Sequence, residues 1–484
     1  MVDNQCPDIM KSICSIVAPY ECSMNQADIV NNCNKFLVLQ LIHRASEVFF
    51  VYTRAGRVGQ SGSQSAECFM DKGDAVKHFS DLFHSKTGVK WDSRQDDATL
   101  HKGKYQYVYQ DTADDEVEDK DKITAVPAVV SPMVSDFIEL IYDPKLYAQS
   151  TQSYRFNSNK LPLGSLSRTQ LSKAGKVLDN ILKLLKKKGK KAVDLKDDGV
   201  VVSKSGGGSG GGADEVSQLS SMFYTLIPTT VSKLKPIETP EQVQEKLELL
   251  ELLENLSYTS TTSMVNTDVV GKYLNLDTKL THVTDAHEIG LIRSYLDSNK
   301  GATHHWKLKI NNIYSIDKAT EKAHFAKWNS LHNRQLLWHG TGIANAVGIL
   351  KTGFRINPTG VVYAGKMFGD GLYFANASSK SAGYMRAIAG EPGILFLCEI
   401  ALGNMMELGQ AQYVTKLPHN KHSTKGIGIY QPDTSSHVEH NGYTIPIGSL
   451  QKQDHKTSLN YDEFIVYDVS QIRMRYVVVL DVSY

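Results

Sequence analysis

The segment Leu336-Leu337-Trp338-His339-Gly340-Thr341 constrains this chain more than any other. Two leucines and a tryptophan read as the end of a buried strand, and Gly342 to Thr352 reads as a helix closed by Gly353. His339 therefore sits at a strand-to-helix turn, the place where α/β-type scaffolds hold ligands. A lone His-Gly-Thr step is in most chains an ordinary hydrogen-bonded turn. Two later segments give it weight.

The first, Phe368-Gly369-Asp370-Gly371-Leu372-Tyr373-Phe374-Ala375, is a glycine-hinged loop feeding a short aromatic strand. Ser378-Ser379-Lys380-Ser381-Ala382-Gly383-Tyr384 then starts a serine-rich helix that delivers a second tyrosine. Two tyrosines so placed can sandwich a flat ring, each face contributing about 0.5–1.5 kcal/mol beyond burial. The competing reading is two core tyrosines. The second segment, Tyr461-Asp462-Glu463-Phe464-Ile465-Val466-Tyr467-Asp468, reads as a strand. Alternation puts Tyr461, Glu463, Ile465 and Tyr467 on one face, so one carboxylate lies among apolar neighbours and needs a partner.

Trp338-His339-Gly340-Thr341, Gly371-Leu372-Tyr373-Phe374-Ala375, Lys380-Ser381-Ala382-Gly383-Tyr384 and Asn460 to Asp468 resemble, in order and spacing, the NAD-site motifs of the poly(ADP-ribose) polymerases. Leu402 to Leu408 and Leu417 to Gly426 match between them. Three dispersed motifs in register are far more specific than any one of them.

The chain has 484 residues, enough for two to four domains. Its 53 lysines and arginines nearly balance 52 acids, so any case for nucleic acid must rest on local patches. No apolar run approaches a membrane span and the N-terminus lacks a signal-peptide pattern, which predicts a soluble intracellular protein. Six cysteines without a Cys-x-x-Cys pair, and histidines without partners at ligand spacing, predict reduced thiols and no metal site.

The sequence predicts a multidomain α+β architecture. Residues 1–110 read as a small β-rich unit with a hairpin of Lys35 to Leu41 and Val48 to Thr53, a helix from Ala75 to Phe83 and a closing strand from Gly103 to Tyr109. This unit resembles the Trp-Gly-Arg (WGR) domain of the DNA-damage-dependent members. The name-giving tryptophan is Ala55 here, while Gly56, Arg57, Val58 and Gly59 are kept. Arg54, Gly56 and Arg57 are the DNA-binding residues that the resemblance implies, and Lys72, Lys77, Lys86 and Lys90 are further phosphate candidates.

Residues 111–130 form an acidic linker, too polar to bury a core. Residues 131–262 turn helical, in Val134 to Asp143, in Ser167 to Leu185 and after the capping box Thr239-Pro240-Glu241-Gln242. The last helix is expected to bury Val243, Leu247, Leu250 and Leu253 and to offer Glu245 and Glu248 to solvent. A Lys and Gly-Ser insert at 186–213 interrupts the helices as a flexible tether. Leu161 to Ser167 and Phe223 to Pro228 resemble signatures of the family's all-α regulatory domain, in which Glu248 and Glu251 face the NAD cleft and hinder access until DNA binds. Residues 263–484, dense in strands, fit the mixed α/β two-sheet ADP-ribosyltransferase domain.

By this resemblance the catalytic residues are His339, Tyr373 and Glu463. NAD+ as substrate is held by His339, Gly340, Thr341, Asn345, Gly353, Arg355, Tyr373, Phe374, Ala375, Lys380, Ser381 and Tyr384, with Arg355 and Pro358 in a loop on the adenosine side. The implied partners are broken DNA, preferably 5′-phosphorylated, protein acceptors including the chain itself and histones, and an accessory ADP-ribosylation factor. The implied location is the nucleus. The alternatives are a mono-ADP-ribosyltransferase and a DNA-break scaffold with little polymer synthesis.

Overall fold

In the computed structural model the described residues are 2–44, 48–94, 101, 103–108, 130–154, 166–188, 211–231, 233–257, 268–356, 367–387 and 390–483. Residues 111–129, 189–210, Leu161 to Ser165, Tyr109 and Pro358 lie outside them, while the two ends of the expected tether belong to the helices Arg168–Lys188 and Gly211–Leu226. The described residues divide between two compact units: those within 2–108 and 148–254 form the first, and those within 130–147, 255–356 and 367–483 the second.

In the first unit, an antiparallel sheet runs in the order Ser63–Phe69, Val48–Arg57, Cys33–Arg44, Cys14–Asp28 and Gln106–Val108. The predicted hairpin is present with Leu39 opposite Thr53. The helix Lys72–Thr87 starts at Asp71, whose side chain accepts from the Asp74 N–H, and ends at Gly88 with φ +82°. Its Ala75, Phe79 and Phe83 are buried in one cluster with Leu37, Leu39 and Leu41. Trp91 meets Phe79 and Phe83 edge to face at 4.8 and 4.9 Å.

Part of the helical segment packs on this sheet. Asn25 Nδ2 donates to the Tyr224 and Thr225 carbonyls at 3.1 Å, and the Ala27 N–H donates to Thr225 Oγ1 at 2.9 Å. The capping box forms as expected: Thr239 Oγ1 accepts from the Gln242 N–H and Gln242 Oε1 from the Thr239 N–H, both at 3.2 Å. The helix it opens, Pro240–Ser257, departs from the expected two-faced pattern. Val243, Leu247, Leu250 and Leu253 are buried, but so are Leu249 and Leu252, and Glu245 and Glu248 are half-buried. Paired leucines leave no polar face in the second half of the helix.

The earliest helix of the segment, Pro132–Ile141, belongs instead to the second unit. Phe137 stacks on Tyr314 at 4.7 Å, and Tyr314 Oη donates to the Met133 carbonyl at 2.8 Å.

The second unit is built on a seven-stranded sheet in the order Val438–His440, Tyr443–Ile445, Arg334–Gly340, Pro392–Ala401, Ile472–Ser483, Lys307–Asp317 and Lys279–His282. A four-stranded sheet runs Met405–Leu408, Ser423–Gly426, Glu463–Val466 and Leu372–Phe374. One apolar cluster joins Leu337, Phe396, Cys398 and Val477 of the large sheet to Phe374, Phe464 and Val466 of the small one. The opposite face of the large sheet, with Leu336, Trp338 and Leu395, packs on Ile292, Tyr295 and Leu296 of the helix Ala286–Ser298. Period-two alternation thus gives one strand two cores.

Glu321 sits in this unit with Oε2 accepting from the Met474 N–H at 3.0 Å. Burial raises its carboxyl pKa to about 7, against the lowering effects of that hydrogen bond, Lys318 and Arg473. A carboxyl raised above its unfolded value penalises the ionised folded state, so stability is lost as pH climbs from about 4.5 toward 7. Glu321→Gln is expected to leave thermal unfolding almost unchanged at pH 5 and to stabilise by on the order of 2 kcal/mol at pH 8. Equal melting shifts at both pH values contradict this.

Candidate active site

His339 and Gly340 end the strand Arg334–Gly340, opposite Phe396 and Leu395 of its neighbour. Alternation sends Trp338 into the core beside Tyr295, at 5.0 Å, and His339 to the other face, against Phe354 at 4.7 Å and Phe374 at 5.4 Å. His339 Nδ1 lies 2.9 Å from the Tyr373 carbonyl. A carbonyl can only accept, so Nδ1 carries the hydrogen and Nε2 of the neutral ring is the acceptor.

Trp338 and Ala375 exchange backbone hydrogen bonds of 2.9 and 3.0 Å, an isolated bridge between the two sheets. Ser381 Oγ, in the short helix Ser378–Ala382, donates to the Trp338 carbonyl at 3.0 Å. Gly340 approaches this helix so closely that a Cβ there would lie 1.7 Å from the Ser381 carbonyl oxygen. Only glycine fits the step.

Tyr373 stands opposite Ile465 in the small sheet. Its hydroxyl donates to the Gly369 carbonyl at 2.9 Å and accepts from the Phe368 N–H at 3.0 Å. Gly369 adopts φ +90° with Val414 against it, so the loop before Tyr373 turns on a residue that must be glycine. Burial first, and the Glu463 charge among lesser causes, raise the Tyr373 hydroxyl far above its ordinary range. Tyr384 differs: 60 % of it is exposed, and the Glu463 charge also reaches it. One tyrosine is anchored and the other open to solvent.

Glu463 has the partner its setting requires, since Lys380 Nζ lies 2.7 Å from its Oε1 and both side chains are largely buried. Lys380 also donates to the Tyr461 carbonyl at 3.1 Å. Burial lowers the Lys380 pKa, with Glu463 acting in the opposite sense. The expected continuous strand is broken at Asp462: Leu459–Tyr461 belongs to a three-stranded sheet and Glu463–Val466 to the four-stranded one. Asp462, 1 % exposed, holds the break. Its Oδ1 accepts from the Gly428 N–H at 2.8 Å, and its Oδ2 accepts from Asn376 Nδ2 at 3.1 Å and faces Lys425 Nζ at 3.2 Å. Alternation had turned attention to Glu463 alone, whereas the more deeply buried carboxylate is its neighbour.

Around the helix Ala346–Thr352, Asn345 Nδ2 donates to Thr341 Oγ1 at 2.9 Å. Asn255, which the motifs did not flag, donates to Asn345 Oδ1 at 3.1 Å and accepts from Arg355 Nη2 at 3.0 Å. A Cβ on Gly348 would meet Asn255 Oδ1 at 2.4 Å, so this glycine makes room for it. Gly353 has φ +75°, and Phe374 and Ala375 are buried.

Glu248 and Glu251 lie on the helix Pro240–Ser257, in the first unit. Glu248 accepts from Gln244 Nε2 at 3.2 Å and Tyr154 Oη at 3.5 Å. In the first unit, Arg54 departs from expectation. It is 4 % exposed, bonds both Asp3 carboxylate oxygens at 2.9 and 2.8 Å, and its charge is therefore neutralised internally. Gly56 serves packing, since a Cβ there would lie 2.7 Å from the Gly62 Cα. Arg57 is held at the surface by the Asn32 carbonyl at 3.1 Å.

Comparison with known proteins assigns each region to a domain class. Residues 286–482 match the poly(ADP-ribose) polymerase catalytic domain, 129–279 the regulatory domain of the same proteins and 20–98 the WGR domain. The chain is 32 % identical over 516 residues to poly [ADP-ribose] polymerase 2 of Arabidopsis thaliana, covering 100 % of this chain and 77 % of that one. It is 32 % identical over 482 residues to poly [ADP-ribose] polymerase 1 of Gallus gallus, covering 96 % of this chain but 45 % of that protein. The Xenopus laevis protein of the same name gives 32 % over 481 residues, with 96 % and 46 % covered. The chain thus spans less than half the length of these vertebrate relatives. It belongs to the poly(ADP-ribose) polymerase family.

Gly340→Ala tests the closest approach in the site. It is expected to cost about 2–3 kcal/mol by forcing strand and helix apart, read as a lowered melting temperature. Wild-type stability contradicts that packing.

Proposed function

We propose that the chain is an NAD+-dependent poly(ADP-ribose) polymerase, activated by DNA strand breaks, that acts in the nucleus on protein acceptors including itself. The observation that carries the reading is the Lys380–Glu463 pair beside Tyr373, whose carbonyl holds the imidazole of His339. The motif match to the family's catalytic domain supports it.

In this reading the nicotinamide ring lies between Tyr373 and Tyr384, and its carboxamide is met by the Gly340 backbone and Ser381 Oγ. His339 Nε2 takes ribose hydroxyls, while Thr341, Asn345, Gly353 and Arg355 border the adenosine side. Phe374 and Ala375 position the imidazole from behind. Glu463 accepts from the nicotinamide ribose and favours the cationic anomeric carbon that develops as the C1′–nitrogen bond breaks, its electron pair passing to nicotinamide. The acceptor oxygen bonds to C1′ and its proton passes to Glu463. Lys380 fixes the direction in which that carboxylate points. No metal takes part in this scheme.

On the DNA side, Arg57 and nearby lysines meet phosphates, and Glu248 and Glu251 belong to the regulatory element. Histones as acceptors and an accessory factor follow from the family resemblance.

Glu463→Gln is expected to leave NAD+ binding nearly intact by calorimetry and to cut polymer formation by roughly 10²-fold or more on a denaturing gel with labelled NAD+. Polymer of normal length from this variant contradicts the role of Glu463, and a single added unit from the unaltered chain favours mono-ADP-ribosylation. With unaltered protein, 5′-phosphorylated nicked or blunt DNA is expected to raise the rate. Equal rates with and without DNA contradict activation by breaks.

A further inference from the structure

We propose that a cavity beside Ala55 takes one unstacked nucleotide from a DNA end, its base against Tyr105 and its phosphate between Lys35 and Arg57. The proposal rests on the DNA-binding reading above and gives it a specificity of its own. The cavity, about 360 Å³, is bordered by the hairpin turn at Asn32 and Asn34, the strand end at Ala55 and Arg57, and Tyr105. Ala55 borders it with no more than a methyl group.

Two features fit it to a nucleotide. First, Lys35 and Arg57 stand directly opposite each other across adjacent strands. Like charges in that relation are unfavourable, and an anion between them removes the cost. Asn32, in the left-handed region at φ +48°, fixes the guanidinium at the rim through its carbonyl, 3.1 Å from Arg57 Nη1, and its Oδ1, 3.3 Å from Nη2. Second, Tyr105 is half-buried against the apolar cluster under the same sheet face, with its backbone N–H donated to the Lys86 carbonyl at 3.0 Å, so its ring is a platform of the kind on which single bases stack. The lining combines cations and an aromatic face, while its size admits one base and not a duplex.

Fluorescence anisotropy on the full chain tests this. The probe is a 5′-phosphorylated duplex with a one-nucleotide 5′ overhang, compared with the same duplex whose overhanging residue is abasic. The unaltered chain is expected to bind the base-bearing end about tenfold more tightly. Ala55→Trp, which fills the cavity, and Tyr105→Leu, which removes the platform without adding bulk, are each expected to erase the difference while keeping salt-dependent binding. Lys35→Ala is expected to weaken both ends alike and to reduce the salt slope by about one. Equal affinity of the unaltered chain for the two ends overturns the cavity proposal and leaves the DNA-binding reading standing. Binding to neither end overturns both.

Discussion

Two backbone hydrogen bonds between Trp338 and Ala375 hold the site of the second unit together. They are the isolated bridge at which a strand of the seven-stranded sheet touches the chain leaving a strand of the four-stranded sheet. Once that contact is made, Tyr373 brings its carbonyl to His339 and its neighbour Phe374 backs the imidazole. The small sheet then carries the effect onward, since Tyr373 fixes Ile465 and with it the strand that begins at Glu463. An imidazole and a carboxylate far apart in sequence are thereby referred to one pair of peptide groups. The glycines at 340 and 369 belong to the same construction, because neither close approach tolerates a side chain.

Much of this was legible in the sequence, for reasons that differ from element to element. The His339 strand, the capping box at Thr239 and the first-unit hairpin declare themselves through local chemistry: alternation, a cap and its reciprocal acceptor, and β-branched runs between turns. The three dispersed motifs identified the family because their order and spacing are set by a shared three-dimensional site. What stayed hidden is long-range. Nothing local tells that the strand breaks at Asp462, or that this residue, and not Glu463, is the most deeply held acid of the motif. Asn255 was equally silent, since its partners at Asn345, Arg355 and Gly348 come from distant positions.

The first unit teaches the same lesson from the side of charge. Arg54 and Arg57 look alike in sequence, with only Ala55 and Gly56 between them. Asp3, at the other end of the unit's chain, consumes one of them, and the other stays at the rim of a cavity. A count of cations therefore overstates what a phosphate can find. Two helices show a parallel division: Gly211–Leu226 packs on the β-rich sheet, while Pro132–Ile141 joins the strand-rich second unit through Phe137 and Tyr314.

The tether on His339 has one more consequence. Because the Tyr373 carbonyl accepts from Nδ1, the ring's tautomer and its tilt are set by the backbone of the neighbouring sheet and not by whatever the site holds. The imidazole therefore reaches any ligand already oriented, at no further ordering cost.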